Sequence, residues 1–126
     1  MIKSSLPERE LEAVLQRPIS EIKADLFRAL AHPARIRVLE LLSEGERAVG
    51  EMQPIVGIEA SHLSQQLGVL RRAGLVTARK AGSSVFYAIR DPEVVQLLAS
   101  AKRVLINSLS ESQGLLAELR VGAGEV

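Results

Sequence analysis

The segment Gly57-Ile58-Glu59-Ala60-Ser61-His62-Leu63-Ser64-Gln65-Gln66-Leu67-Gly68-Val69-Leu70-Arg71-Arg72-Ala73-Gly74-Leu75-Val76 decides how the rest of the chain is read. Its spacing predicts a helix from about Ala60 to Ala73. Leu63, Leu67, Leu70 and Gly74 then share one stripe, the i, i+4, i+7 pattern of a buried face. Ser61, Gln65, Gly68 and Arg72 fall on the opposite face. Ser64 and Arg71 flank that face on one side, His62 and Gln66 on the other. Hydroxyls, amides, an imidazole and two guanidiniums therefore cover the outer surface, and the only carboxylate is Glu59 at its start. Such groups donate to phosphates and pair with base edges in a major groove. An ordinary surface helix mixes both charge signs; this one does not. Gly68 is a poor helix former. On the outer face it lets another surface come close.

At 126 residues the chain is read as a single domain, long enough to bury a core. The net charge is +1, but its distribution is uneven. Residues 59–90 hold Arg71, Arg72, Arg79, Lys80 and Arg90 against Glu59 alone, so that block carries +4 and the remainder −3. A basic block on a near-neutral chain suits a polyanion-binding face. There is no cysteine, which excludes disulfides, thiolate metal sites and thiol redox sensing. No apolar run reaches membrane-spanning length and no signal peptide opens the chain, so a cytoplasmic protein is expected. Phe27, Phe86 and Tyr87 are the only aromatic residues, too few for a platform that stacks single-stranded bases.

Upstream of the quoted segment the pattern is helical. Residues 1–7 are expected to be disordered. Glu8 to Gln16 places Leu11, Val14 and Leu15 at helical spacing, and Pro18 interrupts it. Ser20 reads as an N-cap for a second stripe of Ile22, Leu26, Phe27 and Leu30. In Ala31-His32-Pro33-Ala34-Arg35 the proline suits the first position of a helix. That helix, with Ile36, Val38, Leu39, Leu41 and Leu42, ends near Ser43 and Gly45. Ala48 to Val56 reads as a short helix burying Val49, Met52 and Ile55 or Val56, with an irregular last turn at Pro54. Gly57 turns the chain into the quoted helix. Two short helices joined at a glycine, the second polar outside, make helix-turn-helix spacing over residues 48–73.

Downstream the period changes to two. Leu75 to Lys80 and Val85 to Arg90 read as strands, joined by the short loop Ala81-Gly82-Ser83-Ser84. Residues 75–90 thus form a wing with Arg79, Lys80, Ser83 and Ser84 at its tip. Asp91-Pro92 starts a helix predicted to run over 92–119, about 42 Å long if unbroken. Val94, Leu97, Leu98, Ala101, Val104, Leu105, Leu109, Leu116 and Leu119 keep one apolar stripe, with Gly114 as its weak point. A single small domain does not cover a stripe of that length, so it is expected to pack on a second subunit. Leu11, Val14 and Leu15 of the first helix, with Val94, Leu98, Ala101, Leu105 and Leu109 of the last, form the expected dimer interface. Residues 122–126 are expected to be disordered. The fold class is mainly α with a small β-hairpin (α+β), a winged helix-turn-helix that dimerises through its N- and C-terminal helices.

These pieces together resemble the ArsR/SmtB family of winged helix-turn-helix regulators. The matching residues are Leu30-Ala-His-Pro-Ala-Arg-Ile-Arg-Val-Leu-Glu-Leu-Leu42, Ser61-x-x-Ser-Gln-Gln-Leu-x-x-Leu70, Arg72-Ala-Gly-Leu-Val76 and the strand end Val85-Phe-Tyr87. The resemblance covers roughly residues 22–100. It implies a homodimer on pseudo-palindromic operator DNA, usually a repressor, usually released by a small-molecule or metal effector. It carries the reading-helix polar positions to Ser61, Ser64, Gln65 and Gln66. Gln66 stands where the family often has histidine. Glu59 stands where it often has a capping serine, which weakens that cap. The family's sensors do not carry over: the thiolate motif falls on Gln53 and Ile55, and the last helix has no histidine. Asp91, Glu93 and Gln96 offer oxygen ligands, but acids at a helix start more often cap it. No metal site and no cofactor are expected.

His32, before Pro33, is expected to cap or pack a helix start. His62 contacts phosphate or base, or is simply solvated. Arg35 and Arg37 pair with Glu40 and Glu44 or touch backbone phosphate, the ion pairs being favoured. The candidate DNA-binding residues are Ser61, His62, Ser64, Gln65, Gln66, Arg71, Arg72, Arg79, Lys80, Ser83 and Ser84. The reading is a sequence-specific regulator of double-stranded DNA, most consistent with a homodimeric repressor, with neither membrane nor enzymatic role. There is no paired carboxylate flanked by a base, no glycine-rich phosphate loop and no histidine cluster. The alternative is a winged-helix module that binds protein instead of DNA; the basic wing and the carboxylate-free helix face argue against it.

Overall fold

The computed structural model describes residues 7–110 and 113–125, apart from the side chains of a few residues, among them Val14 and Leu116. Residues 1–6 and 126, expected to be disordered, lie outside the described set. The chain begins with α1 (Glu8–Leu15), which Gln16 ends in the left-handed conformation. Pro18, not Ser20, precedes α2 (Ile19–Leu30). The third helix, α3 (Pro33–Leu42), starts as its sequence dictates. Pro33 takes the first position, and His32 is a true N-cap whose Nδ1 accepts the Ala34 N–H at 3.0 Å.

Arg47 and Ala48 form β1 (Arg47–Ala48), a strand that its length of two residues hides from any periodicity argument. The expected start of the next helix therefore moves one residue on, to α4 (Val49–Val56), with the Ala48 N–H donating to Glu51 Oε1 at 2.8 Å. The helix continues through Pro54 without the irregular turn expected there. Gly57 then reverses the chain at φ 79° into α5 (Ala60–Arg72). β2 (Val76–Ala81) and β3 (Ser84–Ile89) form the hairpin. β1 adds to it, giving an antiparallel sheet in the order β1-β3-β2, with Ala48 opposite Phe86 and Arg79 opposite Phe86 from the other side. The architecture is thus helical with a three-stranded sheet, one short strand more than the hairpin read from sequence.

The core lies where α3, α4, α5 and the base of β2 meet. Val38, Leu39, Met52, Leu63, Leu67, Leu70 and Val76 are its fully buried side chains. Ala29 and Leu30 of α2 close one side, and Val94, from the start of α6 (Glu93–Leu109), closes another. The stripe Leu63, Leu67, Leu70 is buried as its spacing requires. Its last member, Gly74, supplies a turn at φ 77°, not a packing surface.

The single long helix predicted over 92–119 is two helices. α6 stops at Leu109, where the Ser110 hydroxyl bonds back to the Asn107 carbonyl at 3.0 Å, and α7 (Gln113–Glu125) follows. Serine hydroxyls that bond their own backbone compete with helix propagation. Packing completes the break. Leu119 and Gly122 of α7 line one groove with Leu98, Ala101, Leu105 and Leu109 of α6 and Ile36 of α3. A continuous helix would carry Leu119 away from α6; the doubled-back one covers it. α7 runs through to Glu125, within the stretch 122–126 expected to be disordered.

Candidate nucleic-acid interface

The helix-turn-helix places α5 with one face sunk in the core and the other outside. Gly57 ends α4 and donates to the Gln53 carbonyl at 2.9 Å. Glu59 enters α5 with extended backbone and no side-chain cap, so no side chain satisfies the first N–H groups of the helix. At the far end, Leu75 N–H donates to the Leu70 carbonyl and Gly74 N–H to the Arg71 carbonyl, both at 3.0 Å. This is a Schellman closure with the buried pair Leu70 and Leu75 as its apolar contact. Gly57 thus closes α4, and Gly74 permits the backbone closure at the end of α5.

Ser61, His62, Ser64, Gln65, Arg71 and Arg72 are exposed. Gln66 is not: it is half-buried, and its Oε1 accepts from Arg35 Nη1 at 2.7 Å. Arg72 folds back along the helix. Its guanidinium covers Gly68, where an added Cβ would meet Nη1 at 3.2 Å. Gly68 thus makes room for an arginine of its own helix as well as for an approaching surface. Gly68→Ala is expected to raise stability by about 0.5–1 kcal/mol through helix propensity while displacing Arg72. Thermal melts and DNA titrations on the same preparation should move in opposite directions; a gain in both would show that the Arg72 position is irrelevant.

The wing turns in two residues, Gly82 and Ser83, tighter than the four-residue loop expected. Ala81 pairs with Ser84, and Gly82 alone takes positive φ, at 63°. A glycine first and an ordinary residue second suits a type II′ turn, whose twist matches the strands. Lys80, Ser83 and Ser84 are exposed at this tip. Arg79 is placed differently from the free cation expected. Its Nε and Nη2 grip both oxygens of Glu46 at 2.7 and 2.8 Å, and its guanidinium stacks on Phe86 at 4.7 Å from the ring centroid. Glu46 lies 33 residues away in sequence and carries no local sign of this role.

The Arg79 hydrogen bonds hold the Glu46 carboxyl below its ordinary value of 4.5. A depressed folded-state value means that the pairing contributes fully above pH 4.5 and is lost as pH falls through the lower folded value. Resonances of Phe86 and Arg79 should accordingly stay constant from neutral pH down to about 4.5 and shift below it. The Glu46→Gln variant should show no such step, and a step in that variant would assign the titration elsewhere.

Arg35 and Arg37 do not form the favoured ion pairs with Glu40 and Glu44. Arg35 reaches the α2 carbonyls of Ala29 and Arg28, and Arg37 donates to the Ile55 carbonyl at 2.8 Å. The carbonyls at helix ends lack intrahelical partners, and these guanidiniums supply donors to them. Asp91 caps α6, its Oδ1 accepting the Glu93 N–H at 2.9 Å. Among the described residues no group of three or more His, Asp or Glu side chains is placed to hold a metal ion.

The expected dimer residues lie on α1 and α6. Val94 is in the core. Leu98, Ala101, Leu105 and Leu109 line the α3–α6–α7 groove. Leu11 is half-buried and Leu15 exposed; Val14 lies on α1, its side chain outside the described set. Leu15, Val104 and Leu105 leave large apolar side chains in solvent, Val104 at 61% exposure. No helix among the described residues is long and apolar enough to cross a membrane.

Residues 32–78 match the family described as bacterial regulatory protein, arsR family. The chain is 53% identical over 106 residues to the HTH-type transcriptional regulator Rv0081 of Mycobacterium tuberculosis, covering 83% of this chain and 93% of that one. The crystal structure of that protein superposes with a TM-score of 0.70 over 75% of this chain and 96% of its own. The homodimeric winged helix-turn-helix DNA-binding domain Mb0332 of Mycobacterium bovis is 31% identical, with a TM-score of 0.63 over 82% of this chain and 90% of that domain. The transcriptional repressor BigR of Xylella fastidiosa is 32% identical, with a TM-score of 0.65 over 79% and 96% of the two chains. Sequence and fold agree along nearly the whole length of these relatives: the chain belongs to the arsR family of bacterial regulatory proteins, and it is a winged helix-turn-helix, DNA-binding transcriptional regulator.

Proposed function

We propose that the protein acts in the cytoplasm as a homodimeric repressor whose two α5 helices enter successive major grooves of an operator. The observation that carries this reading is the α5 surface. Ser61, His62, Ser64, Gln65, Arg71 and Arg72 are all exposed, and no carboxylate lies between Ala60 and Arg72. Ser61, Ser64 and Gln65 are the base-edge readers in this account. His62, Arg71 and Arg72 hold phosphate, as do Lys80, Ser83 and Ser84 at the wing tip. Arg79, neutralised by Glu46, braces the wing and contributes less charge to the DNA. The dimer relatives and repressor relatives support the assembly and the sign of regulation. An effector, if it releases the dimer, acts without thiolate chemistry, because the chain has no cysteine.

The dimer is formed by α1 and α6, where Leu15, Val104 and Leu105 lie open to solvent. Val104→Glu tests it: a side chain so exposed costs the protomer little, but an introduced carboxylate opposes an apolar interface. Sedimentation should show wild-type dimers at micromolar concentration and monomers of the variant, with operator binding weakened in parallel. A wild-type monomer that still binds a two-half-site operator tightly would contradict the assembly.

A further inference from the structure

Gln66 stands on the outer flank of α5, yet its amide oxygen is held by a residue of α3. Arg35 donates Nη1 to Gln66 Oε1 at 2.7 Å, Nε to the Ala29 carbonyl at 2.7 Å and Nη2 to the Arg28 carbonyl at 3.2 Å. One guanidinium therefore joins three helices: it rises from α3, satisfies carbonyls in the last turn of α2, and reaches α5. Among the described residues no carboxylate lies within ion-pair distance of Arg35. Its three acceptors are neutral, and charge-assisted bonds of this kind are stronger than neutral ones. Gln65, the residue before it on the same helix, is exposed and makes no such bond among the described residues.

We propose that Arg35 and Gln66 form a latch that sets the angle of α5 against α2 and α3, and that Gln66 is a positioning residue, not a base reader. The proposal rests on the DNA-binding reading for its consequence, but not for the latch itself. Bidentate recognition of adenine uses both ends of a side-chain amide. At Gln66 the oxygen end is already engaged and the side chain is half-buried. The α5 helix has no side-chain cap at its start, so this bond is a polar side-chain tie that orients it from within. Operator affinity, and not the preference among sequences, would then depend on Arg35 acting through Gln66.

Two measurements on the full-length dimer test this. The first is chemical denaturation of wild type, Arg35→Ala, Gln66→Ala and the double variant. Gln66→Ala should lower the midpoint in the wild-type background and leave it unchanged once Arg35 is gone. Gln66→Glu, which keeps an acceptor for the guanidinium, should hold the wild-type midpoint or exceed it. Equal losses from Gln66→Ala in both backgrounds would overturn the latch, whatever the DNA result. The second is affinity for the operator and for operators changed at one base pair. Gln66→Ala should weaken all of them by about tenfold and leave the preference at every position intact. Selective loss of preference at one base pair would make Gln66 a reader and overturn the proposal. If the midpoints couple but wild type prefers no operator over scrambled duplex, the latch stands and the DNA-binding reading fails.

Discussion

Leu67→Ala is expected to destabilise the protein by about 2–5 kcal/mol, a large part of the total of about 5–15 kcal/mol typical of such domains. Leu67 is 1% exposed and shares its core with the fully buried Val38, Leu39, Met52, Leu63 and Leu70. These side chains come from three helices, so the hole left by truncation cannot be filled by a small movement of one of them. The loss reaches function directly, because the same residue anchors the reading helix. Urea denaturation at fixed protein concentration gives the value, a fixed concentration being needed because dimerisation adds to apparent stability. The exposed neighbour Ser64 is the control: Ser64→Ala should fall within about 0.5 kcal/mol of wild type. Equal midpoints for Leu67→Ala and wild type would show that α5 is not seated on this core.

Gln65→Ala is expected to cost about 1–3 kcal/mol on the operator in each half-site and to relax the preference for a single base pair there. Gln65 is exposed on the outer face of α5, with both ends of its amide unengaged by the described residues. Lys80→Ala should behave differently. An exposed lysine at the wing tip meets phosphate, so operator and scrambled duplex should weaken together. Removing one lysine–phosphate pair should reduce the salt slope by about 0.9, counted twice in a dimer. Salt titrations of both variants on both duplexes separate the roles. Intact preference in Gln65→Ala, with specific binding alone abolished in Lys80→Ala, would reverse them.

The parts of this molecule visible in its sequence are those built from local pattern. Leu63, Leu67 and Leu70 announce α5 because burial at helical spacing needs no distant partner. His32 and Pro33 announce α3 because capping is settled within a few residues. Gly57 marks the reversal into the reading helix, whereas Gly74, read as the last member of the buried stripe, supplies the turn out of it. What stayed hidden was decided by partners far along the chain. β1 is two residues long, and only its pairing with Phe86 and Tyr87 makes it a strand. The grip of Arg79 on Glu46 spans 33 residues, and that of Arg35 on Gln66 spans 31. Leu98, Ala101, Leu105, Leu109 and Leu119 of the apolar stripe do line one groove, but periodicity could not show that the chain doubles back after Leu109. A stripe fits one long helix or two stacked ones equally well. The serine at the break and the groove that Leu119 covers decide between them.

Selection of duplexes from a random double-stranded pool by the purified full-length protein tests the central claim most directly. The expected result is enrichment of a pseudo-palindrome whose half-sites lie one helical turn, about 10 base pairs, or a multiple of it apart. Gln65→Ala should enrich the same palindrome with one position in each half-site relaxed. Binding of the pool without enrichment of any sequence, or an enriched sequence unchanged in every position by Gln65→Ala, would contradict it.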